Sequence, residues 1–269
     1  MPSLTADDGV RLDYTEYGDP AGRPVVLIAG FKAPATTWRY QVPAFADAGY
    51  RVLAVDLRGH GTSEHPDDGV DMGRRGRDVA VVLDALDLRD AVLVGGSMGA
   101  NTIWSYLSQS DAGRRRVAAA VSIDQTPKML NDDGWPFGFY GYDAANRDTF
   151  FATGIPETGH GTPMAKRGMR LVRLMTAMKG MNREFTPGEL ALLHDHAVAD
   201  WRPAIAAAGV PLLFVAGAES EYWPSGHAAA SAALAVDGTA VVLDDDGHAA
   251  NMEQPKAFNR AVLEWLARR

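Results

Sequence analysis

The sequence predicts an α/β protein with a doubly wound, mostly parallel sheet and a helical cap insertion. Short apolar runs recur along the chain, helical patterns separate them, and this alternation is interrupted once. The runs lie at 25–30, 51–56, 91–96, 117–124, 210–217 and 239–245. Such runs are typical of strands buried on both faces. Their alternation with helices predicts a parallel sheet covered on both sides.

Two helices of this core can be placed from local patterns. One is expected from Met72 to Leu86, with Asp71 as its N-cap. Another is expected from Asn251 to Arg269, because apolar side chains recur there near helical spacing.

The alternation stops between about residue 125 and residue 208. We therefore expect residues 1–124 and 209–269 to form the core and residues 125–208 to form a helical cap or lid. The run Thr186-Pro187-Gly188-Glu189 has the form of a capping box with proline at the first helical position, which predicts a helix start.

A second cap helix is expected from Met164 to Met178. Its pattern places Leu171 and Met175 on one face with Met178, and Arg170 and Arg173 on a solvent-exposed face. Methionine-rich surfaces adapt to irregular apolar partners, so this helix either lines a substrate pocket or packs on the core.

Composition excludes several functional classes. The formal net charge of -8 disfavours a phosphate-binding surface, so no nucleic-acid partner is expected. The chain has no cysteine, which excludes disulfides and a cysteine nucleophile. His194 and His196 are two residues apart and face different ways on a helix, a poor metal pair. We expect a soluble, cytoplasmic monomer or homodimer that acts on a small molecule without a membrane, metal or cofactor.

Residues 95–99 carry the strongest chemical signal. They read Gly-Gly-Ser-Met-Gly, a G-x-S-x-G pattern between an apolar strand and a helix. Flanking glycines allow a sharp turn that exposes Ser97, and the helix N-terminus directs free N–H groups towards developing negative charge. The structural alternative is a glycine-rich turn with a capping serine. The context favours a nucleophile.

Other loops complete this context. Gly30 follows the first central strand, so the Phe31 and Met98 amides can face one space as an oxyanion hole. His248 follows the last strand and is the best candidate for the base. In the loop at 56–64, the polar residues are expected to fix the backbone, namely Arg58, His60 and Ser63.

The order of these motifs across almost the whole chain resembles the α/β-hydrolase superfamily. Within it, the chain is similar to the serine esterase, lactonase and cofactor-free haloperoxidase group. Ala29 departs from the histidine that this family usually has before the glycine, which implies different bracing of the oxyanion loop. The elbow serine argues against the dehalogenase and epoxide hydrolase branches, which use aspartate there.

The resemblance also locates a missing acid. Relatives usually place an aspartate three residues after the glycine of the penultimate strand. Here Gly217 keeps that glycine and Ser220 takes the acid position. Asp124, at the end of the strand after the elbow, matches the acid position of some branches. Glu219 and Glu221 remain alternative acids. Asp124 could instead form an Asx-turn before a proline.

The resulting prediction is a serine hydrolase that cleaves a carboxylic ester or lactone of a hydrophobic small molecule through an acyl-enzyme. Alternatives are a perhydrolase or haloperoxidase-like enzyme, a C–C bond hydrolase, and a non-catalytic ligand receptor on the same fold. Five residues are expected to contact the substrate, although aromatic residues also pack caps onto cores: Lys32, Trp135, Phe137, Tyr140 and Trp223.

Overall fold

A single eight-stranded sheet organises the computed structural model, which describes residues 1–66, 70–179, 181–182 and 184–269. The strands are β1 (Ser3–Thr5), β2 (Arg11–Tyr17), β3 (Pro24–Ile28), β4 (Arg51–Asp56), β5 (Ala91–Gly96), β6 (Val117–Ile123), β7 (Leu212–Gly217) and β8 (Gly238–Leu243). Their order across the sheet is β1-β2-β4-β3-β5-β6-β7-β8. The first two pairs in this order are antiparallel and all the others are parallel, which confirms the predicted fold class.

All six predicted strands are present with small shifts at their ends. The expectation of burial on both faces was wrong for β8, which lies at a sheet edge and has no buried residue. The sequence patterns missed β1 and β2. β1, at the sheet edge, and β2, next to it, have several exposed side chains, so they lack the continuous apolar run of strands buried on both faces.

Buried apolar side chains cover both faces of the sheet. Val26 and Ile28 belong to one core cluster with α2 and α3, whereas Val25 and Leu27 belong to another with α1 and α10. Alternate residues of one strand point to opposite faces, so both faces of β3 are buried.

The helices are α1 (Val42–Asp47), α2 (Met72–Ala85), α3 (Met98–Gln109), α4 (Asp111–Arg114), α5 (Met169–Ala177), α6 (Pro187–Val198), α7 (Arg202–Ala206), α8 (His227–Ala232), α9 (Ala250–Glu253) and α10 (Pro255–Leu266). Two short 3₁₀ turns cover Ala35–Trp38 and Met164–Lys166. Asp71 caps α2 by accepting a hydrogen bond from the Arg74 N–H. The predicted capping box of Thr186 and Glu189 begins α6.

Two predicted helices are divided. The expected helix from Asn251 to Arg269 is interrupted at Gln254, before the proline that starts α10; a proline disfavours helical backbone at the preceding residue. The expected helix from Met164 to Met178 breaks at Gly168, which has a φ of 51°.

The predicted faces of α5 were also wrong. Leu174 and Ala177 are its buried residues, while Met175 is exposed. Arg170 and Arg173 are only partly exposed and bond to the core at Glu253. Their charge alone predicted exposure to solvent, whereas the Glu253 carboxylate bonds to Arg170 and the Glu253 backbone carbonyl bonds to Arg173.

The register of three neighbouring strands places their following loops side by side. Ile28 pairs with Gly95, and Gly96 pairs with Ile123. The next residues after β5 and β6 are Ser97 and Asp124. The loop after β3 meets them at the carboxyl edge of the sheet, where ligands bind in open α/β folds.

Candidate active site

Ser97 lies at a tight turn between β5 and α3. Its φ of 51° and ψ of -129° are unusual for a residue with a side chain. Such a conformation costs of order 1–3 kcal/mol and persists only where the surroundings enforce it. Here the Ser97 N–H donates to the Ile123 carbonyl at 3.0 Å, and a Cβ on Gly99 would lie 2.2 Å from the Ile28 carbonyl oxygen. The glycine pattern therefore reflects a close approach of strand and helix.

The backbone N–H groups of Phe31 and Met98 are the candidate donors of an oxyanion hole. Within the described part of the chain, no group accepts a hydrogen bond from the amide of Phe31 or of Met98. Gly30 allows the loop after β3, which carries Phe31, to lie close to Ser97, since a Cβ on Gly30 would lie 3.0 Å from the Ser97 Cβ. Free amides next to a serine hydroxyl are suited to binding an oxyanion.

His60 braces this loop. Its Nε2 accepts a hydrogen bond from the Lys32 N–H at 2.9 Å, and its Nδ1 lies 2.9 Å from the Arg58 carbonyl. Burial lowers the pKa of His60 to about 3, so the ring is neutral and can donate at Nδ1 and accept at Nε2. His60 therefore holds the loop after β3 although alanine occupies position 29, where the family usually has histidine.

The other polar residues of that loop are also structural. The buried Arg58 pairs with Asp78 and Asp8. The Ser63 hydroxyl accepts from the Asp13 N–H.

His248 lies on the loop between β8 and α9. Its Nδ1 is 2.8 Å from Oδ2 of Asp124. With Nδ1–H donating to the carboxylate, Nε2 is the free basic nitrogen of the neutral ring. The rings of Tyr222 and Trp223 pack against the imidazole with centroid distances of 4.5 and 5.3 Å. The same cavity borders His248 and Ser97.

Asp124 is fully buried and surrounded by donors. Oδ1 accepts from the Gly217 N–H at 3.0 Å. Oδ2 accepts from the Ser220 hydroxyl at 2.6 Å and from Trp223 Nε1 at 3.2 Å. His227 Nε2 lies 3.5 Å from Oδ1.

Burial by itself raises the pKa of the Asp124 carboxyl. Hydrogen bonds from His227 and His248 outweigh that effect and lower its pKa to about 2. Asp124 is therefore an ionised carboxylate at neutral pH. Ser220 occupies the position where most relatives are expected to have the acid, and its hydroxyl donates a hydrogen bond to the Asp124 carboxylate.

The alternative acids lie in other contacts. Glu219 bonds to Thr162 and Arg170. Glu221 bonds to Arg167 and to the backbone N–H of His248. Within the described residues, neither carboxylate makes a hydrogen bond to the His248 ring.

Two cavities border Ser97. The larger, of about 240 Å³, extends between the sheet edge and the insertion. Its apolar wall includes Trp38, Ile155, Leu174, Met178 and Met252. The smaller, of about 20 Å³, is bordered by aromatic and aliphatic side chains and by the buried His196.

Of the five residues expected to contact substrate, only Trp223 borders either of these two cavities, namely the smaller one. The other four have different contacts. The side chain of Lys32 is largely buried, and its Nζ forms a salt bridge with Glu189 Oε2 at 2.6 Å. Lys32 is therefore not available to bind an acidic ligand. The Trp135 indole donates to Thr126 and packs edge-on against Phe137. Tyr140 stacks on His160.

Sequence reasoning missed most residues that surround the site. Trp38 lies on a 3₁₀ turn outside the motifs that indicated the site, and Tyr222 lies on the loop after β7, two residues after Ser220. The methionines of the insertion were a usable signal, since Met164, Met178 and Met181 border the larger cavity. Within the described residues, no group of His, Asp and Glu side chains is arranged to hold a metal, and no helix is long and apolar enough to cross a membrane.

A mostly parallel sheet with a serine at a strand-to-helix elbow defines the α/β-hydrolase class. A family model described as alpha/beta hydrolase fold matches residues 23–185. The chain is 31% identical to a non-heme haloperoxidase of Rhodococcus erythropolis over 250 residues, which is 88% of each chain. The chain therefore belongs to the α/β-hydrolase family.

Other similarities agree with this assignment. A non-heme chloroperoxidase of Streptomyces lividans is 38% identical over 160 residues, 56% of this chain and 57% of that protein, so this match spans little more than half of either protein. The crystal structure of a bromoperoxidase from Bacillus anthracis matches with a TM-score of 0.80 and 26% identity. That match covers 99% of this chain and 100% of the other.

Proposed function

We propose that this protein is a serine hydrolase that cleaves carboxylic esters or lactones of hydrophobic small molecules. One observation carries the proposal. The ring of His248 is hydrogen-bonded at 2.8 Å to a buried, ionised Asp124 and shares a cavity with the elbow serine, Ser97.

In the proposed mechanism, His248 Nε2 removes the proton of Ser97 as Oγ attacks the substrate carbonyl. The carboxylate of Asp124 stabilises the imidazolium that forms. The amides of Phe31 and Met98 donate to the oxyanion, and each such donor contributes about 10²–10³ in rate. His248 then protonates the leaving alcohol. Water, deprotonated by His248, hydrolyses the acyl-enzyme.

The unequal cavities suggest the shape of the substrate. A space of about 10–15 Å³ is enough for one water molecule, so the smaller cavity admits a group of about that size. The larger cavity, with mainly apolar walls, suits the bulky hydrophobic part. We therefore favour esters with one bulky arm and one very small arm.

The segment before α7 is proposed to act as the cap. Ile155, Met164 and Leu174 from this segment border the larger cavity. By contrast, Ile205 of α7 is part of the core cluster on one face of the sheet, although it falls within the range first expected to be cap.

Covalent labelling tests the nucleophile. A fluorophosphonate probe is expected to label the wild-type protein and to leave Ser97→Ala unlabelled. Ser108→Ala is the matched control, because Ser108 lies on α3 beyond the elbow and is exposed. Labelling that persists in folded Ser97→Ala, or no labelling together with no turnover of an ester panel, would contradict the proposal.

Perhydrolysis is the second candidate, because one relative, 35% identical over 142 residues, carries the name bifunctional esterase/perhydrolase. In that reaction hydrogen peroxide replaces water, and the acyl-enzyme yields a peroxy acid and free Ser97. Peroxy acid formation from acetate and peroxide, absent in Ser97→Ala, would support it. Its absence alongside ester hydrolysis would exclude it.

A further inference from the structure

A cluster of charged side chains lies directly beside the loop that carries His248. We call it the ionic cluster: Arg167 and Arg170 from the insertion, Glu221 from the loop after β7, and Glu253 from α9. Arg167 is 5% exposed and Glu253 is fully buried. Burying charges costs free energy unless they are paired and hydrogen-bonded, so these groups depend on their mutual geometry.

Glu221 joins the cluster to the histidine. Its Oε2 accepts a hydrogen bond from the His248 backbone N–H at 2.7 Å, and its other oxygen accepts from Arg167. Hydrogen bonds to a charged acceptor are stronger than hydrogen bonds between neutral groups. This carboxylate therefore restrains the backbone from which the imidazole projects.

Arg167 bonds to carboxylates on two different elements. One nitrogen of its guanidinium bonds to Glu221, and another donates to Glu253 Oε1 at 2.8 Å. Its Nε also donates to the Thr162 carbonyl at 2.8 Å. Because the guanidinium is planar with donors in a fixed arrangement, it sets the relative positions of these groups.

Arg170 supports the same arrangement. Its Nε donates to Glu253 Oε2 at 2.9 Å, so both oxygens of that carboxylate are bonded to arginines of the insertion. Glu253 lies five residues after His248 in the chain, and Glu221 accepts a hydrogen bond from the His248 backbone N–H. The histidine loop is therefore held on two sides.

The cluster packs tightly against this loop. A Cβ on Gly247, the residue before His248, would lie 2.8 Å from Glu253 Oε1 and 3.0 Å from Glu221 Oε2. Any other residue at this position would displace the carboxylates. The close approach needs glycine.

From these contacts we propose that Glu221 and Arg167 are positioning residues for His248. Arg167 orients the Glu221 carboxylate, and that carboxylate holds the His248 backbone so that Nδ1 stays bonded to Asp124. The inference rests on the proposed role of His248 as the base. It gives the insertion, through Arg167, a part in assembling the catalytic site as well as covering it.

Kinetics of Glu221 variants provide the first test. Misplacement by about 1 Å can reduce a rate about 10²-fold, so we expect Glu221→Ala to lower kcat by about 10- to 100-fold on a small acetate ester. KM should change little, because the variant leaves the apolar wall intact. Glu221→Gln should recover only part of kcat, because its single amide oxygen can accept from the His248 N–H while its NH₂ then opposes Arg167.

Glu219→Gln is the matched control. It removes another carboxylate that bonds to Arg170, on the same loop, but Glu219 has no hydrogen bond to His248 within the described residues. Its kcat should equal that of the wild type. A folded Glu221→Ala with wild-type kcat, or an equal loss in Glu219→Gln, would overturn the proposal.

A second readout is independent of turnover. Ring nitrogen NMR shifts report the tautomer of His248, assigned by comparison with His248→Gln. The wild type should hold the Nδ1–H form, and Glu221→Ala should give a mixture of forms. An unchanged tautomer in that variant would overturn the positioning role even if no ester is hydrolysed. The proposed function is tested separately by the fluorophosphonate experiment: a wild-type protein that is not labelled at Ser97 and hydrolyses no ester would refute it.

If Glu221→Ala does not fold, Arg167→Lys decides the question. Lysine keeps the charge but loses the planar arrangement of donors. We expect a lower kcat and a mixture of His248 tautomers in this variant. Wild-type values for both would overturn the proposal.

Discussion

Replacement of Asp124 by asparagine is the most direct test of the proposed acid. The change removes one negative charge and keeps the size of the side chain. In the wild type, four groups donate to the carboxylate: the Gly217 N–H, the Ser220 hydroxyl, Trp223 Nε1 and His248 Nδ1. His227 Nε2 also lies 3.5 Å from Oδ1.

Asparagine cannot satisfy these donors in either orientation. If its NH₂ takes the place of Oδ1, it opposes the Gly217 N–H. If its NH₂ takes the place of Oδ2, it opposes the Trp223 indole N–H and bonds to an unprotonated His248 Nδ1. The second orientation moves the ring proton to Nε2, which then cannot accept a proton from Ser97.

Both effects reduce the rate. Loss of the carboxylate in a serine triad with the wrong tautomer lowers kcat by about 10⁴-fold in a well-studied protease. At about 1.36 kcal/mol for each tenfold change, a loss of 10³- to 10⁴-fold corresponds to about 4–5.5 kcal/mol of transition-state stabilisation. We expect a loss in that range for Asp124→Asn.

Steady-state hydrolysis of p-nitrophenyl acetate measures the effect, and near-UV circular dichroism checks the fold. Glu219→Gln is the control, since its carboxylate faces Arg170 and Thr162. If folded Asp124→Asn kept kcat within about a factor of ten of the wild type, less than 1.4 kcal/mol would depend on the charge. The assignment of the acid would then be wrong.

Three further predictions concern the oxyanion loop, a buried acid and the cavities. Gly30→Ala should lower kcat with little change in KM, because the new Cβ would lie 3.0 Å from the Ser97 Cβ and move the Phe31 amide; an unchanged kcat would contradict this. Burial and the nearby Glu253 raise the pKa of Asp246 from 3.8 to about 9. The folded state therefore keeps a proton that the unfolded state releases, and stability should fall as the pH rises from about 4 to about 9. Asp246→Asn should unfold at a higher temperature than the wild type at pH 8 but not at pH 4, and equal thermal unfolding profiles at pH 8 would count against the buried neutral acid. Finally, acetyl or methyl esters with one bulky arm should be hydrolysed faster than esters bulky on both arms, whereas equal kcat/KM values would exclude a restrictive smaller cavity.

Much of the fold was predictable from local patterns. Six strands appear as apolar runs, five of them buried and β8 at the sheet edge. The caps of α2 and α6 appear as short motifs at Asp71 and Thr186. β2 was missed because pairing with β4, a distant segment, stabilises it despite its exposed side chains, and β1 was missed because it forms only by pairing with β2. Local propensity could not reveal that pairing.

Some residues of the candidate site could be predicted from the sequence and others could not. Ser97 and the histidine after the last strand were indicated by glycine motifs with a clear backbone requirement. The aromatic residues 135, 137 and 140 were chosen by composition; Trp135 and Phe137 pack on one another, and Tyr140 stacks on His160. Composition alone does not distinguish a cavity wall from packing, because both bury apolar surface.

By itself, the sequence determined six of the eight strands, the starts of α2 and α6, the elbow at Ser97 and the absence of a cysteine nucleophile. These depend on residue type and on neighbours in the chain. Only the tertiary structure decided which carboxylate meets His248. Strand register brings Asp124 beside Ser97 and places Ser220 as its donor, although 96 residues separate the two in the chain. Likewise, the arginines of the insertion became partners of Glu221 and Glu253 because buried charges require partners that folding brings from distant segments.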